Sequence, residues 1–294
     1  MLPLFYEETC RAIAQIPSAE FEFVIVDDGS TDGTLAEIHR LRASDPRVRY
    51  VSFSRNFGKE AAMLAGMHRA TGDFVALLDA DLQDPPRLLP DMYRAVTEEG
   101  FDCAATRRLT RTGESKVRSF FANNFYHVFN RISHTQLVPG ARDFRLMNRK
   151  MTDAILDLAE SNRFSKGLFS WVGFNTKWIE YDNVERAAGT TKWSFLGLVR
   201  YSIEGIVDFS TVPLALASAL GFLFCLAALI WVAVIIFRTL EYGNAVPGWS
   251  SLACIVLFSS GMQFLTIGIL GQYIARTYLE TKHRPQYVVR ETEE

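Results

Sequence analysis

The chain is poor in the residues that would announce several common functions. It has four cysteines in 294 residues (Cys10, Cys103, Cys225 and Cys254), and their spacing pairs none of them. That excludes a thiolate metal centre or a disulfide framework and suits a reducing compartment. The five histidines are scattered without metal-ligand spacing and read as structural. A net charge of −2 lacks the basic excess of a nucleic-acid binder, so no nucleic-acid partner is expected. Neither GxxxxGK[ST] nor GxGxxG occurs, which removes support for a P-loop ATPase or a dinucleotide enzyme. The opening "MLPLFYEETCRAIAQI" is broken by charge throughout and does not read as a cleavable signal peptide.

Charge itself is missing from two long runs, 212–237 and 245–275. A helix needs about 20 apolar residues to cross a bilayer core of about 30 Å, and soluble core helices rarely run that far uncharged, so both are expected to span a membrane. The connection "RTLEYGNAVPG" is short, whereas Arg200 precedes the first run and Arg276, Lys282, Arg284 and Arg290 follow the second. The positive-inside rule then predicts a multi-pass plasma (inner) membrane protein with both termini cytoplasmic. Ahead of the first run, "WSFLGLVRYSIEGIVDFS" has Phe195, Leu196, Val199, Ile203, Ile206 and Val207 on one helical face and Arg200, Glu204 and Asp208 on another. It is expected to lie along the membrane surface. The resulting division is a cytoplasmic domain (1–192), an interfacial helix (193–211), a two-helix hairpin (212–275) and a cytoplasmic tail (276–294).

In the first part, apolar strands alternate with helices: "EFEFVIVDD", "RVRYVSFSRN", "GDFVALLDA" and "FDCAATRR" are separated by helical stretches. Such alternation predicts an α/β domain with a parallel sheet covered on both faces. Ligands of such sheets bind beyond the carboxyl ends of the strands, where Asp27-Asp28 and the run Asp79, Asp81, Gln83, Asp84 both fall. A polar loop with capping acids explains one cluster; two in equivalent places favour a hard cation held by carboxylates and substrate phosphates.

The segments "VIVDDGSTDGT", "SRNFGKEAAMLAGMHRATGDFVALLDADLQDPP", "GARDFRLMNRK" and "ERAAGTTKWSFLGL" together resemble glycosyltransferase family two with the GT-A (Rossmann-like) fold. More closely they resemble its polyprenyl-phosphate glycosyltransferases, the group that includes bactoprenol glucosyltransferase and dolichyl-phosphate mannose synthase. The resemblance runs over essentially the whole chain, and the paired spans favour the bactoprenol branch. It implies inverting transfer of a hexose, with UDP-glucose the expected donor, to undecaprenyl phosphate on the cytoplasmic face, with Mg²⁺ or Mn²⁺ as cofactor. It also implies residue roles. Val26 and Asp28 would meet the nucleoside; Asp79, Ala80 and Asp81 the ribose and metal-bound diphosphate, with Gln83 completing the metal shell. Arg107 would add a contact to the nucleotide sugar, and Arg186 and Lys192 would bind the lipid phosphate; Lys59, from its own place opening the helix after "SRNFG", is a further candidate for the nucleotide sugar's phosphate. Asp81 and Asp143 are the implied catalytic carboxylates, Asp143 in the position of the family's proposed base. A homo-oligomer is expected.

Members of the group open with a strand and a Pro-x-Tyr-Asn-Glu turn, whereas "MLPLFYEET" resembles the helix after that turn. The first family strand is therefore expected to be missing from this sequence. Other donors (mannose, an aminoarabinose derivative) and a catalytically impaired membrane scaffold stay open, while a processive synthase would want a Gln-x-x-Arg-Trp motif that is absent.

Overall fold

A computed structural model describes residues 1–108, 125–133, 135–158, 160–182, 205–242 and 248–293. The chain divides into two units, Met1–Gly205 with His283–Glu294, and Ile206–Lys282.

The first unit opens with helix α1 (Leu2–Ile13), whose Pro3 sits in the first turn, where a missing N–H costs nothing. There follow β1 (Phe23–Asp27), α2 (Thr34–Ser44), β2 (Val48–Phe53), α3 (Lys59–Arg69), β3 (Phe74–Leu77), α4 (Leu89–Thr97) and β4 (Cys103–Arg108). Then come β5 (Ala141–Asn148), α5 (Arg149–Leu156), α6 (Ser165–Trp171) and β6 (Thr176–Tyr181), and, from beyond the hairpin, β7 (Val289–Thr292). The Asn148 side chain caps α5 by accepting from the Met151 N–H at 2.9 Å, so the strand turns directly into the helix.

The strands form two mixed sheets, in the orders β1-β2-β7 and β3-β5-β4-β6. This corrects the all-parallel sheet expected from the alternating pattern. β3 and β4 both oppose β5 and so run parallel to each other, as alternation demands, but β5 is inserted antiparallel between them. β7 likewise pairs antiparallel with β2. Among the described residues a helical stretch, 125–132, precedes β5, so a helix between two strands does not by itself make them parallel. β1 and β3 each end a sheet.

Alternation along β4 and β5 sends side chains to opposite faces. Ala104, Phe144 and Leu146 join Ala12, Met92 and Val96 beneath α1 and α4. Cys103, Ala105 and Met147 pack with Met67, Met151, Ile155 and Phe169 from α3, α5 and α6. Asp143 and Arg145 belong by their spacing to this second face, which brings them toward α3 and α6.

Residues 283–293, read from sequence as part of a tail, hold to the first unit. Tyr287 stacks on Phe53 with ring centroids 4.9 Å apart, and Glu293 accepts from Arg49 Nε at 3.0 Å. Both flanks of the hairpin thus belong to one folded unit.

In the second unit, α7 (Val212–Tyr242) and α8 (Trp249–Thr281) have 31 and 33 residues. At 1.5 Å per residue each exceeds about 45 Å, longer than a bilayer core. Their side chains face outward: Phe222 is 70% exposed and Leu257 73%. At the foot of the hairpin Tyr273 Oη donates to the Ser210 carbonyl at 2.6 Å, and Arg276 pairs with the little-exposed Asp208 at 3.2 Å. The expected interfacial helix lies mostly outside the described residues; 205–209 is helical.

Candidate active site

The site begins with two adjacent carboxylates at the end of β1. Asp27 is buried and accepts from Ser52 Oγ at 2.8 Å and from the Ser30 N–H at 3.1 Å, which folds the chain into a turn. Gly29 in that turn has φ +65°, and a Cβ there would lie 2.4 Å from the Arg55 carbonyl carbon, so only glycine fits. Asp28 accepts from the Phe57 N–H at 2.6 Å and the Gly58 N–H at 2.9 Å. Asp28 thereby anchors the loop that starts α3. Val26 packs against the apolar cluster of Val51, Phe53, Ala61 and Ala65.

That anchored loop presents Lys59 as the first residue of α3. Its ammonium donates to Asp79 Oδ2 at 2.6 Å and to Asp143 Oδ2 at 2.5 Å. Three residues separated by 20 and 84 positions thus meet at one point. Burial opposes the charge on Lys59, but the two carboxylates prevail and raise its pKa. Burial also disfavours ionised Asp143, yet Lys166, Lys59 and Arg145 together hold its carboxyl well below the usual range. Asp79 is pushed up, by burial first, with Lys59 opposing and the negative charges of Asp143 and Asp84 adding to it.

Beyond β3 the loop turns sharply at Leu82, whose φ of +58° lies in the left-handed region. Asp81 Oδ1 accepts from the Gln83 N–H at 3.1 Å, and Ala80, between the two acids, is exposed. The far end of the loop is fixed by Asp84, 1% exposed, which accepts from Arg142 Nε at 2.9 Å and from the Tyr181 hydroxyl. Its second oxygen, Oδ2, is buried without a hydrogen-bond partner. Asp79, Asp81 and Gln83 make an oxygen-only donor set of the kind that hard divalent cations take. Among the described residues no three His, Cys, Asp or Glu side chains form a ready cage. The set therefore fits a cation bound by one or two carboxylates together with substrate phosphates, and fits a thiophilic metal poorly.

Arg107, near the end of β4, forks onto Glu180 in the paired register of β6. Arg186 and Lys192 lie outside the described residues. The structure adds groups that the sequence reading passed over. Glu60, next to Lys59, accepts from the Ser165 N–H at 3.2 Å and from its hydroxyl; burial, then the nearby Asp143, push its pKa up to about 7 against the Ser165 bonds. Arg145 is 3% exposed and stands 3.4 Å over the Phe169 ring. Lys166, on α6, faces Asp143 electrostatically. No local motif marks these three; a Lys-Glu pair opening a helix is ordinary first-turn chemistry.

An Asp-x-Asp loop thus stands beside a lysine-bridged carboxylate pair at the strand ends of an α/β domain, and comparison with known proteins gives the class, a glycosyltransferase. The description "Glycosyl transferase family 2" matches residues 6–156. The chain belongs to that family, and its α/β domain is of the GT-A type expected. It is 44% identical over 272 residues to the putative glycosyltransferase CsbB of Bacillus subtilis, covering 92% of this chain and 82% of that protein. It is 41% identical to the prophage bactoprenol glucosyl transferase homolog of Escherichia coli K12 and 39% to the bactoprenol glucosyl transferase of Shigella phage SfV. Each of those alignments covers 98% of this chain and 94% of the relative.

Proposed function

We propose that this glycosyltransferase moves a hexose from a nucleotide sugar, UDP-glucose, to undecaprenyl phosphate with inversion, on the cytoplasmic face of the plasma membrane. The observation that carries the reading is the junction of Lys59, Asp79 and Asp143 beside the Asp81–Gln83 loop, in a chain about 40% identical to proteins named for bactoprenol. An apolar hairpin whose two flanks belong to one folded unit supports placing that unit on a single membrane face.

In the reaction a phosphate oxygen of the acceptor forms a bond to the anomeric carbon, while the bond from that carbon to the nucleoside diphosphate breaks and the leaving group takes the electron pair. A divalent cation held by Asp81 with Gln83 or Asp79 would neutralise charge on the diphosphate. Asp143 is a poor base in this setting, since its carboxyl is held ionised by Lys166, Lys59 and Arg145 despite burial. Nor is one much needed: a phosphate monoester has a second pKa near 6. We assign Asp143 to positioning Lys59 toward the leaving diphosphate or the sugar.

The test is transfer by the purified full chain from labelled UDP-glucose to undecaprenyl phosphate, with GDP-mannose in parallel. A β-configured glucosyl lipid formed only from UDP-glucose is expected. Equal or greater transfer from GDP-mannose would overturn the donor assignment.

A further inference from the structure

A cavity of about 490 Å³ lies against the face of β5 and β6, on the strand that also carries Asp143. Two cations line it, Arg145 from β5 and Lys166 from α6, and the side chains of Tyr126, Phe169, Phe174 and Trp178 supply much of the rest. No Asp or Glu is among its described lining residues.

The charges are arranged for a visitor. Arg145 is buried, yet its guanidinium donates to main-chain carbonyls, of Asp143 at 3.3 Å and of Arg142 at 3.0 Å. A buried cation ordinarily finds a carboxylate partner at hydrogen-bond distance, whereas Arg145 has neutral carbonyls below it and the Phe169 ring against its face. Lys166 makes no ion pair among the described residues, and its first-turn place on α6 is held by the Glu60 carboxylate on Ser165, one residue before it. Asp143 and Glu60 face these cations electrostatically from outside the lining, so the described wall itself presents two cations and aromatic rings, complementary to an anion bearing an apolar body. A hexose would instead call for acceptors to its several hydroxyls, the role that carboxylates usually fill.

We infer that this cavity receives the phosphate and first isoprene units of the lipid acceptor, with Lys166 as a phosphate ligand and Trp178 and Phe174 against the hydrocarbon. This rests on the polyprenyl-phosphate reading above and adds a place for the acceptor within the described residues. Asp143, two residues from Arg145 on the same face, would then stand between the acceptor phosphate on one side and Lys59 on the other. The phosphate would sit beside the cluster that faces the leaving diphosphate, as a single displacement requires.

The experiment uses the full chain in detergent with farnesyl phosphate as the probe and farnesol and inorganic phosphate as controls. Loss of one charge-assisted hydrogen bond predicts that Lys166→Ala raises the KM for farnesyl phosphate about tenfold or more. Lys166→Arg should restore most of it, and the KM for the nucleotide sugar should change less than that for farnesyl phosphate. Farnesyl phosphate should also change tryptophan emission in the wild type and lose that effect in Trp178→Phe, with farnesol binding more weakly. A KM change confined to the nucleotide sugar would place the sugar in the cavity and overturn the inference. So would unaltered kinetics in Lys166→Ala together with an emission change that survives Trp178→Phe. Wild-type protein that binds farnesyl phosphate through Trp178 but glycosylates no prenyl phosphate would defeat the proposed function and leave the cavity assignment standing.

Discussion

The two units of this chain solve opposite problems with the same forces. In the first, large apolar side chains such as Phe53, Phe144 and Met92 are buried, and charges such as Lys59, Asp84 and Arg142 are held against partners. In the second, residues of similar size point outward, and an ion pair, Arg276 with Asp208, sits at the foot of the hairpin. Removing apolar surface from water is worth about 25 cal/mol per Å², so the bare faces of the second unit suit contact with lipid. The difference teaches that in this chain a charge is chemistry in one unit and a boundary in the other.

Moving or deleting charges in each unit breaks or sharpens that contrast. The largest effect is expected from Asp81→Asn, which keeps the shape and removes the charge: turnover should fall about 100-fold or more. Excess EDTA should abolish wild-type transfer, and membrane insertion should be unchanged. Full turnover by the variant would remove Asp81 from the chemistry. The mirror experiment adds a charge where none is present. Leu226→Arg, near the middle of α7, should cost about 3 kcal/mol of insertion, seen as protein extracted from membranes by carbonate.

Cutting the chain after 282 removes β7, with its Tyr287–Phe53 stack and the Glu293 contacts to Arg49 and the Tyr50 N–H. A loss of about 2 kcal/mol is expected from one aromatic contact and a few hydrogen bonds, read as a lower thermal midpoint of the first unit with α7 and α8 still inserted. An unchanged midpoint would return 283–294 to the status of a tail.

Asp143→Asn should lower turnover about tenfold, through lost orientation of Lys59, and the deficit should be flat from pH 6 to 9 because the native carboxyl is ionised throughout that range. A deficit that shrinks as the acceptor phosphate ionises would make Asp143 the base after all.

The smallest effect concerns Glu60, whose pKa of about 7 in the folded chain lies above its unfolded value near 4.3. The folded state binds the proton more tightly, so the stabilisation is full below about pH 4.3 and is lost as pH rises through 7. Glu60→Gln should flatten that slope, so that between pH 5.5 and pH 8 the variant's thermal midpoint falls about 2–4 °C less than the wild type's. A wild type with no such slope would show that Glu60 is not strained by burial.

Local pattern explains how much was legible. The uncharged runs specify α7 and α8 because a helix satisfies its own backbone and apolar side chains call for no distant polar partner. Strands β1 to β4 were readable from apolar runs that alternate with helical stretches, β1 and β3 from the acids that follow them as well, and the Asp-x-Asp loop from its place after β3. β5 was harder, since "ARDFRLMN" alternates charge with apolar residues, and its antiparallel insertion depends on pairings with β3 and β4 that no local rule states.

The sequence by itself determined the family, the apolar hairpin and the residue types at the strand ends, because periodicity, charge spacing and motif order are properties of neighbouring positions. Tertiary structure alone decided that Lys59 bridges Asp79 and Asp143, that Asp28 and Asp84 each hold a loop in place, that Arg107 meets Glu180, and that residues after the hairpin return to the sheet of β2. Those partners stand 20 to 240 positions apart. A carboxylate's role is set by which donor reaches it first, and that is fixed only when distant strands are brought side by side.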